Sequence, residues 1–570
     1  LTHFVDRDYA AHRFASTFPI DSIREGLRTM PRRCDLWALA GLLLVAGLAQ
    51  WTVCIRAVAP AQDAVRYIAL AQRIEKDGLA ATIRAQSDAP LYPALVRAAH
   101  QLARPQGGAW LRSAQWVAAS MAALCVIPVY ALLAPWLGRG KAALATILFA
   151  LLPEVARLGA DALADSTHLL LFLTALALLV SAMRDAAERA SRWKLLGCGV
   201  CVGLSLLARS EALMLLPAAA LAWWLVRRQL EREQVVRLGG SLALGLAGVY
   251  GTYLLYTHAL SPGAMQARLM GRHSADSAAQ LNVATPAPIA SSLPPDWRTE
   301  EGDVFDFTRK DGSTSLRRDG YLEAMRQYAG EFGNLITLPL LPLMLVGVLK
   351  MRHARNCLPG RFLFLFFCMY SLCVMWHAAE VGYLSSRHLL PLAPIALGWA
   401  GHGAVIAAQW SRRWLAGVLA PRELLRGWRP VRLLALLLVG LCVPSLLKPA
   451  HASRLGHRRA AAWLAEHAEA NDMVLDTRGW SALYTEMPTF RHEAGAQALA
   501  SPALRYVVVE REELLFDSRR ARTLRAVLGT SAELVGSFHA AEVKPEKAVL
   551  VYRWDPQRFA ASYGRGAVRR

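Results

Sequence analysis

The sequence predicts an α-helical polytopic membrane protein, about eleven transmembrane helices followed by a small C-terminal α/β soluble domain. Three observations carry this prediction. Apolar runs that approach the roughly 20 residues needed to cross a bilayer recur from Leu36 to Leu447. The polar connections between them alternate: Arg-rich ones take turns with ones that carry carboxylates, and Lys/Arg-rich connections stay on the cytoplasmic side. Beyond Pro449 the apolar runs shrink to strand length.

Composition agrees. The chain has 570 residues, 55% of them hydrophobic, and a mean hydropathy of +0.27, too apolar for an ordinary soluble enzyme. A formal net charge of +21 would suit nucleic acid. The Lys and Arg sit mostly between apolar runs, however, as the positive-inside rule requires, so no nucleic-acid partner is expected. The 9 cysteines lie in or beside apolar runs, which implies no disulfide framework in the polar segments. Cys198 and Cys201 form a C-x-x-C around Gly199 inside a predicted helix, a pattern for small-residue helix packing rather than redox chemistry.

Residues 1–34 read as a basic cytoplasmic segment, with Arg24, Arg28, Arg32 and Arg33 near its end. Residues 35–448 form the transmembrane domain, with external loops at 57–108 and 258–332, and 449–570 the external α/β domain. Leu36–Ile55 is the first span. Ala57-Val58-Ala59 resembles a cleavage site, but the apolar run exceeds the roughly 7–15 residues of a signal peptide, so a retained anchor is expected. Outside it, Tyr67, Leu70, Ala71 and Ile74 recur at helical spacing, an amphipathic helix for the membrane interface that stops at Gly78.

Ala109–Trp136 leads in, and Ala142–Val155 leads out to Arg157, Asp161 and Asp165. Thr167–Met183 leads in, and Leu195–Leu207 out to Arg209 and Glu211. Leu213–Val226 and Leu242–Tyr256 follow, the second opening onto a long polar loop with a hairpin signal at Asp311-Gly312. Leu335–Leu349, Phe362–Trp376, Leu389–Ala408 and Leu433–Leu447 complete the spans, with Arg387 on the outer side. In the last domain Arg458–Ala468 is helical, and Met473–Asp476, Tyr506–Glu510, Leu534–Phe538 and Ala548–Trp554 are strands.

The outer connections hold the chemistry. The stretch Ala61-Gln62-Asp63-Ala64-Val65-Arg66-Tyr67 and the later Asp88-Ala89-Pro90-Leu91-Tyr92-Pro93 resemble the first external loop of polyprenyl-phosphate-dependent glycosyltransferases of the C-type membrane fold (GT-C). The resemblance is to glycosyltransferase family 39, the protein-mannosyltransferase-like enzymes. It extends to Arg157–Asp165, Leu207–Leu213 and Ser386–Pro391, and covers roughly 36–256 and the stretch around Arg387. The family often has Asp-Glu where this chain has Asp63-Ala64, and His-Pro where it has Asp88-Ala89. Whatever the second carboxylate does in the family is done here by Asp161 or Asp165, or not at all.

The resemblance implies a membrane glycosyltransferase that moves a hexose, mannose-like, or a pentose from a polyprenyl-phosphate donor to an external acceptor, with inversion. A lipid phosphate is already a good leaving group, so transfer needs no general acid; it needs a carboxylate for the acceptor's proton and cations for the departing phosphate. Asp63, Asp161 and Asp165 are the catalytic candidates, Asp63 first. Arg66, Tyr67, Tyr92, Arg209, Glu211 and Arg387 are candidates for the donor's phosphate and sugar, since a guanidinium fork suits phosphate oxygens. Other readings stand beside these: Asp63 or Asp165 as helix caps, Arg387 as a snorkelling anchor, Arg209 with Glu211 as an interfacial pair. Asp161 and Asp165, four apart, would share a helix face and invite a cation. His377 and Glu380 are an i,i+3 pair compatible with a divalent metal, but two ligands make no site.

The partners expected are a polyprenyl-phosphate-linked sugar, membrane lipid, and a protein, lipid or glycan acceptor that the C-terminal domain binds or orients. The place expected is a bacterial plasma (inner) membrane with the N-terminus inside. The rival is a transporter or flippase for a lipid-linked sugar. It predicts charges at mid-membrane and paired broken helices, whereas the carboxylates here cluster at span ends.

Overall fold

The computed structural model describes residues 33–563 except 86–87, 104–108, 186–189, 228–230, 258–318, 352–356, 419–429, 470, 486, 492–494, 517–518 and 540–544. The hairpin signal at Asp311-Gly312 and the basic segment before residue 33 lie outside the described residues. Among the described residues, 7 helices are long and apolar enough to cross a membrane, and 2 bent pairs raise the number to 9. The other two expected spans are shorter helices, Ala190–Leu206 with 17 residues and Ser210–Val226. At 1.5 Å per residue the first of these rises about 25 Å, the lower limit for a crossing.

The two bends have identifiable causes. Arg139–Leu151 and Pro153–Asp161 meet at 48°, where Pro153 brings no N–H to continue the ladder. Buried Gln50 of the first span braces the bend: its amide donates to Val155 O (2.8 Å) and its carbonyl accepts from Gly159 N–H (3.1 Å). Gly320–Ile336 and Leu340–Lys350 meet at 99° around Thr337, which has φ 65°.

Close helix crossings are made by glycine. A Cβ on Gly403 would run into the Leu343 carbonyl, and one on Gly347 into the Trp399 carbonyl. The backbones of Leu340–Lys350 and Ala393–Val418 thus touch, as membrane helices do where small residues align. Gly199 does the same against Leu242 of Arg232–Leu246, as expected for the C-x-x-C segment. Gly403→Leu should therefore destabilise the bundle by about 3 kcal/mol, the upper end of ordinary overpacking. Thermal melting in detergent checks this, and an unchanged midpoint would refute the crossing.

The helix Gln62–Asp77 ends at Gly78 (φ 84°) as expected. Its apolar face, however, packs on protein: Ala64, Ile68 and Ala71 join Tyr92, Val96, Ala114 and Ala118 in one buried cluster. Leu91–Ala103, whose first N–H donates to Leu207 O at 3.0 Å, supplies the opposite wall.

The C-terminal part is a five-stranded sheet, β1 Met473–Asp476, β2 Thr489–Arg491, β3 Leu504–Glu510, β4 Ala532–Phe538 and β5 Val549–Trp554, in the order β2-β1-β3-β5-β4. β1 pairs parallel with β2 and β3, and β5 pairs antiparallel with β3 and β4. The helix Leu455–His467 packs Ala460 and Leu464 on the face of Val474, Val508 and Val551. At the C-terminal end of β1 and β3, Arg478 is fixed between Glu510 and Glu513, each at 2.7 Å. Burial opposes the Glu510 charge, but the hydrogen bond from His457 and the charge of Arg478 outweigh it and bring its pKa down to about 2.

Candidate active site

Two of the proposed carboxylates meet on one guanidinium. Arg387 Nη1 lies 3.6 Å from Asp63 Oδ2 and 3.9 Å from Asp165 Oδ2. Arg209 Nη1 meets Asp165 Oδ1 at 2.5 Å, while its Nε donates to both Glu211 oxygens at 3.0 and 3.1 Å. Asp165, His168, Arg209, Glu211, Arg387 and His388 line a narrow pocket with room for about one water molecule. Asp63 meets this lining through Arg387 and has 58% of its side chain exposed, against 6% for Asp165.

Each member is delivered by the end of a helix. Asp63 is the second residue of Gln62–Asp77 and Asp165 the first of Asp165–Arg184, so both face free N–H groups of a first turn, which favour negative charge. Neither is the cap; Ala61 and Ala164 hold those positions without a side-chain bond. Arg209 is extended (φ −157°, ψ 145°) between Ala190–Leu206 and the 3-10 turn Ser210–Met214. Arg387 sits in the 3-10 turn Ser386–Leu392. Glu331 closes its start by accepting from Ser386 N–H at 2.9 Å, and a reciprocal Ser385/His388 pair completes the cap.

Three carboxylates, Asp63, Asp165 and Glu211, stand against two guanidiniums. All three guanidinium nitrogens of Arg209 are engaged by Asp165 and Glu211. Arg387 is the cation that meets Asp63. Tyr67 lies alongside, its phenol pushed up to about 12 chiefly by burial, with Arg209 opposing and Asp165 and Asp63 adding to the rise. It stays a neutral hydrogen-bond donor at physiological pH.

Other sequence candidates are placed differently. Asp161 and Asp165 do not share a helix face. The helix Pro153–Asp161 ends there, and Ala162, at φ 52°, turns the chain before the next helix begins. Asp161 pairs with His451, on the connection after the last span. Tyr92 is fully buried and donates to Ala114 O at 3.0 Å, so it is a core residue. Arg66 pairs with Asp88. His377 stacks edge-on with His388, and among the described residues no group of three His, Cys, Asp or Glu could hold a metal.

Sequence reasoning missed His168, which meets Ser205 Oγ at 2.9 Å, and Tyr370, whose hydroxyl donates to His388 O at 3.0 Å. Both lie inside apolar runs, where a lone polar side chain looks like any satisfied core residue. Glu331 gave no signal, since its partner lies in another connection.

Residues 87–250 match the family of dolichyl-phosphate-mannose-protein mannosyltransferases. No curated protein matches the chain. Among solved structures it resembles ArnT from Cupriavidus metallidurans in the apo state, with 12% identity, 91% of this chain and 97% of that chain covered, and a TM-score of 0.58. ArnT bound to undecaprenyl phosphate gives 12% identity, the same coverages and a TM-score of 0.55. The spans, the C-terminal sheet and the matched segment agree with one architecture: the chain has the GT-C membrane fold, and its residues 87–250 resemble protein mannosyltransferases.

Proposed function

We propose that the chain transfers a sugar, mannose-like by its matched segment, from a polyprenyl-phosphate donor to an external acceptor with inversion at the anomeric carbon. The observation that carries this is the convergence of Asp63 and Asp165 on Arg387, which lines the narrow pocket. The acceptor hydroxyl attacks the anomeric carbon, the bond from that carbon to the phosphate oxygen breaks, and the phosphate leaves with the bonding electrons. Asp63, the exposed carboxylate, takes the acceptor's proton. Arg387 turns from Asp63 to the phosphate as the donor enters. Asp165, itself paired with Arg209, holds that guanidinium from behind.

Undecaprenyl phosphate, which ArnT binds, is the donor lipid favoured here. Its tail stays in hydrocarbon while only the headgroup reaches the carboxylate. The Lys/Arg alternation supports a bacterial inner membrane with the site on the non-cytoplasmic face. The acceptor is a protein hydroxyl, a lipid or a glycan, oriented by the residues after 449. Purified protein in nanodiscs, given tritiated undecaprenyl-phosphate mannose and a panel of acceptors, should release undecaprenyl phosphate and label one acceptor. Movement of the intact lipid-linked sugar across the bilayer without cleavage would overturn the reading. Arg387→Gln should raise the donor KM about 10- to 100-fold, the worth of charged hydrogen bonds to one phosphate. Titration of rate against donor concentration measures it.

A further inference from the structure

The stretch 58–62 joins the first span to the helix that carries Asp63, and partners distant in the sequence hold it. Val58 N–H donates to Ala450 O at 3.1 Å, and Val58 O accepts from the Tyr484 hydroxyl at 3.5 Å. Pro60 O accepts from Arg454 Nη1 at 2.7 Å. Ala61 N–H donates to the backbone carbonyl of Asp161 at 3.2 Å. Gln62 Oε1 accepts from Arg478 Nη1 at 3.3 Å. Asp161 is itself pinned, its carboxylate paired with His451. Ala59 and Ala61 are buried beneath these bonds.

Asp63 needs such support. Its side chain is more than half exposed, Arg387 is 3.6 Å away, and the capping position before its helix is an alanine that fixes nothing. The position of its carboxylate is therefore set by its backbone, and the backbone is set by 58–62. A misplacement of about 1 Å in a reacting group lowers rate roughly 100-fold.

We infer that the chain after the last span positions Asp63: His451 through Asp161, Arg454 through Pro60, and Arg478 through Gln62 are positioning residues that fix the base relative to Arg387. This rests on the reading of Asp63 as the base. It gives Asp161 a role away from the reacting atoms and gives the C-terminal sheet a part in the reaction independent of the acceptor.

The test uses the full chain in nanodiscs with undecaprenyl-phosphate mannose. Asp161→Ala and His451→Ala should each lower kcat roughly 10- to 100-fold with donor KM unchanged, because the donor meets Arg387 and not Asp161. The double variant should fall no further than either single one, since both break the same link. Asp161→Asn, whose side-chain oxygen still accepts from His451, should keep most of kcat. Arg454→Met, which removes the bond to Pro60 without touching Asp161, should lower kcat likewise. Melting midpoints recorded for every variant separate this from unfolding.

An unchanged kcat in Asp161→Ala would overturn the inference. So would an Asp161→Asn as inactive as Asp63→Asn, because Asp161 would then be a reacting group. Amide hydrogen exchange over 57–66 reads the same link without turnover: it should quicken in Asp161→Ala and His451→Ala, and unaltered exchange overturns the inference. A wild-type chain that transfers no sugar while this exchange responds would sink the transferase reading and leave the positioning intact.

Discussion

Asp63→Asn should abolish sugar transfer almost completely, lowering kcat by about 10²- to 10⁴-fold, the contribution of a positioned general base. An amide cannot take the acceptor's proton, so the loss falls on the chemical step and the donor KM should stay near its wild-type value. Folding should be untouched. Among the described residues the ion pair it removes is half-exposed and 3.6 Å long, a kind worth about 0–1 kcal/mol. Single-turnover rates with preloaded donor, together with a melting curve, make the measurement. Full transfer by this variant would move the base elsewhere, and Asp165 is the nearest alternative.

Arg209→Met should do the reverse and act first on the fold. Arg209 is buried between Asp165, with 6% of its side chain exposed, and Glu211, with 29%. Removing it leaves buried Asp165 with only the 3.9 Å contact to Arg387, a loss of about 3 kcal/mol, the lower end for a broken buried pair. The variant should melt well below wild type in detergent. Asp165→Asn added to it should recover part of the loss, because the uncompensated charge is then gone. Were Arg209 merely a phosphate ligand, the melting point would not move and only the donor KM would rise. The two substitutions thus separate the exposed half of the cluster, proposed here to do the chemistry, from the buried half, proposed to hold it.

The sequence made part of this site readable. Asp63, Asp165, Arg209 and Arg387 were singled out because each lies in a carboxylate-bearing connection between apolar runs and in a stretch that resembles the family, and both are local signals. The strand Met473–Asp476 was found with its observed limits for the same reason, a short apolar run between polar ones. What was missed depends on geometry between distant residues. The four-residue spacing of Asp161 and Asp165 fits one helix face, and only a left-handed Ala162, rarely adopted by alanine, separates them. The 99° break at Thr337 lies in an apolar stretch that reads as a continuous span. β2, three residues at the edge of the sheet, is too short for any periodicity. Tyr92 sits in a motif that suggested ligand contact, yet its ring fills the core behind the Asp63 helix.

The first and last membrane helices are fastened to each other at one end. Arg56 Nη1 donates to Leu447 O at 2.7 Å, and Val58 N–H to Ala450 O at 3.1 Å. During biosynthesis these partners leave the ribosome at opposite times. On the positioning inferred above, a chain synthesised only as far as its early helices carries Asp63 on a segment whose fastening partners, Leu447 and Ala450, do not yet exist.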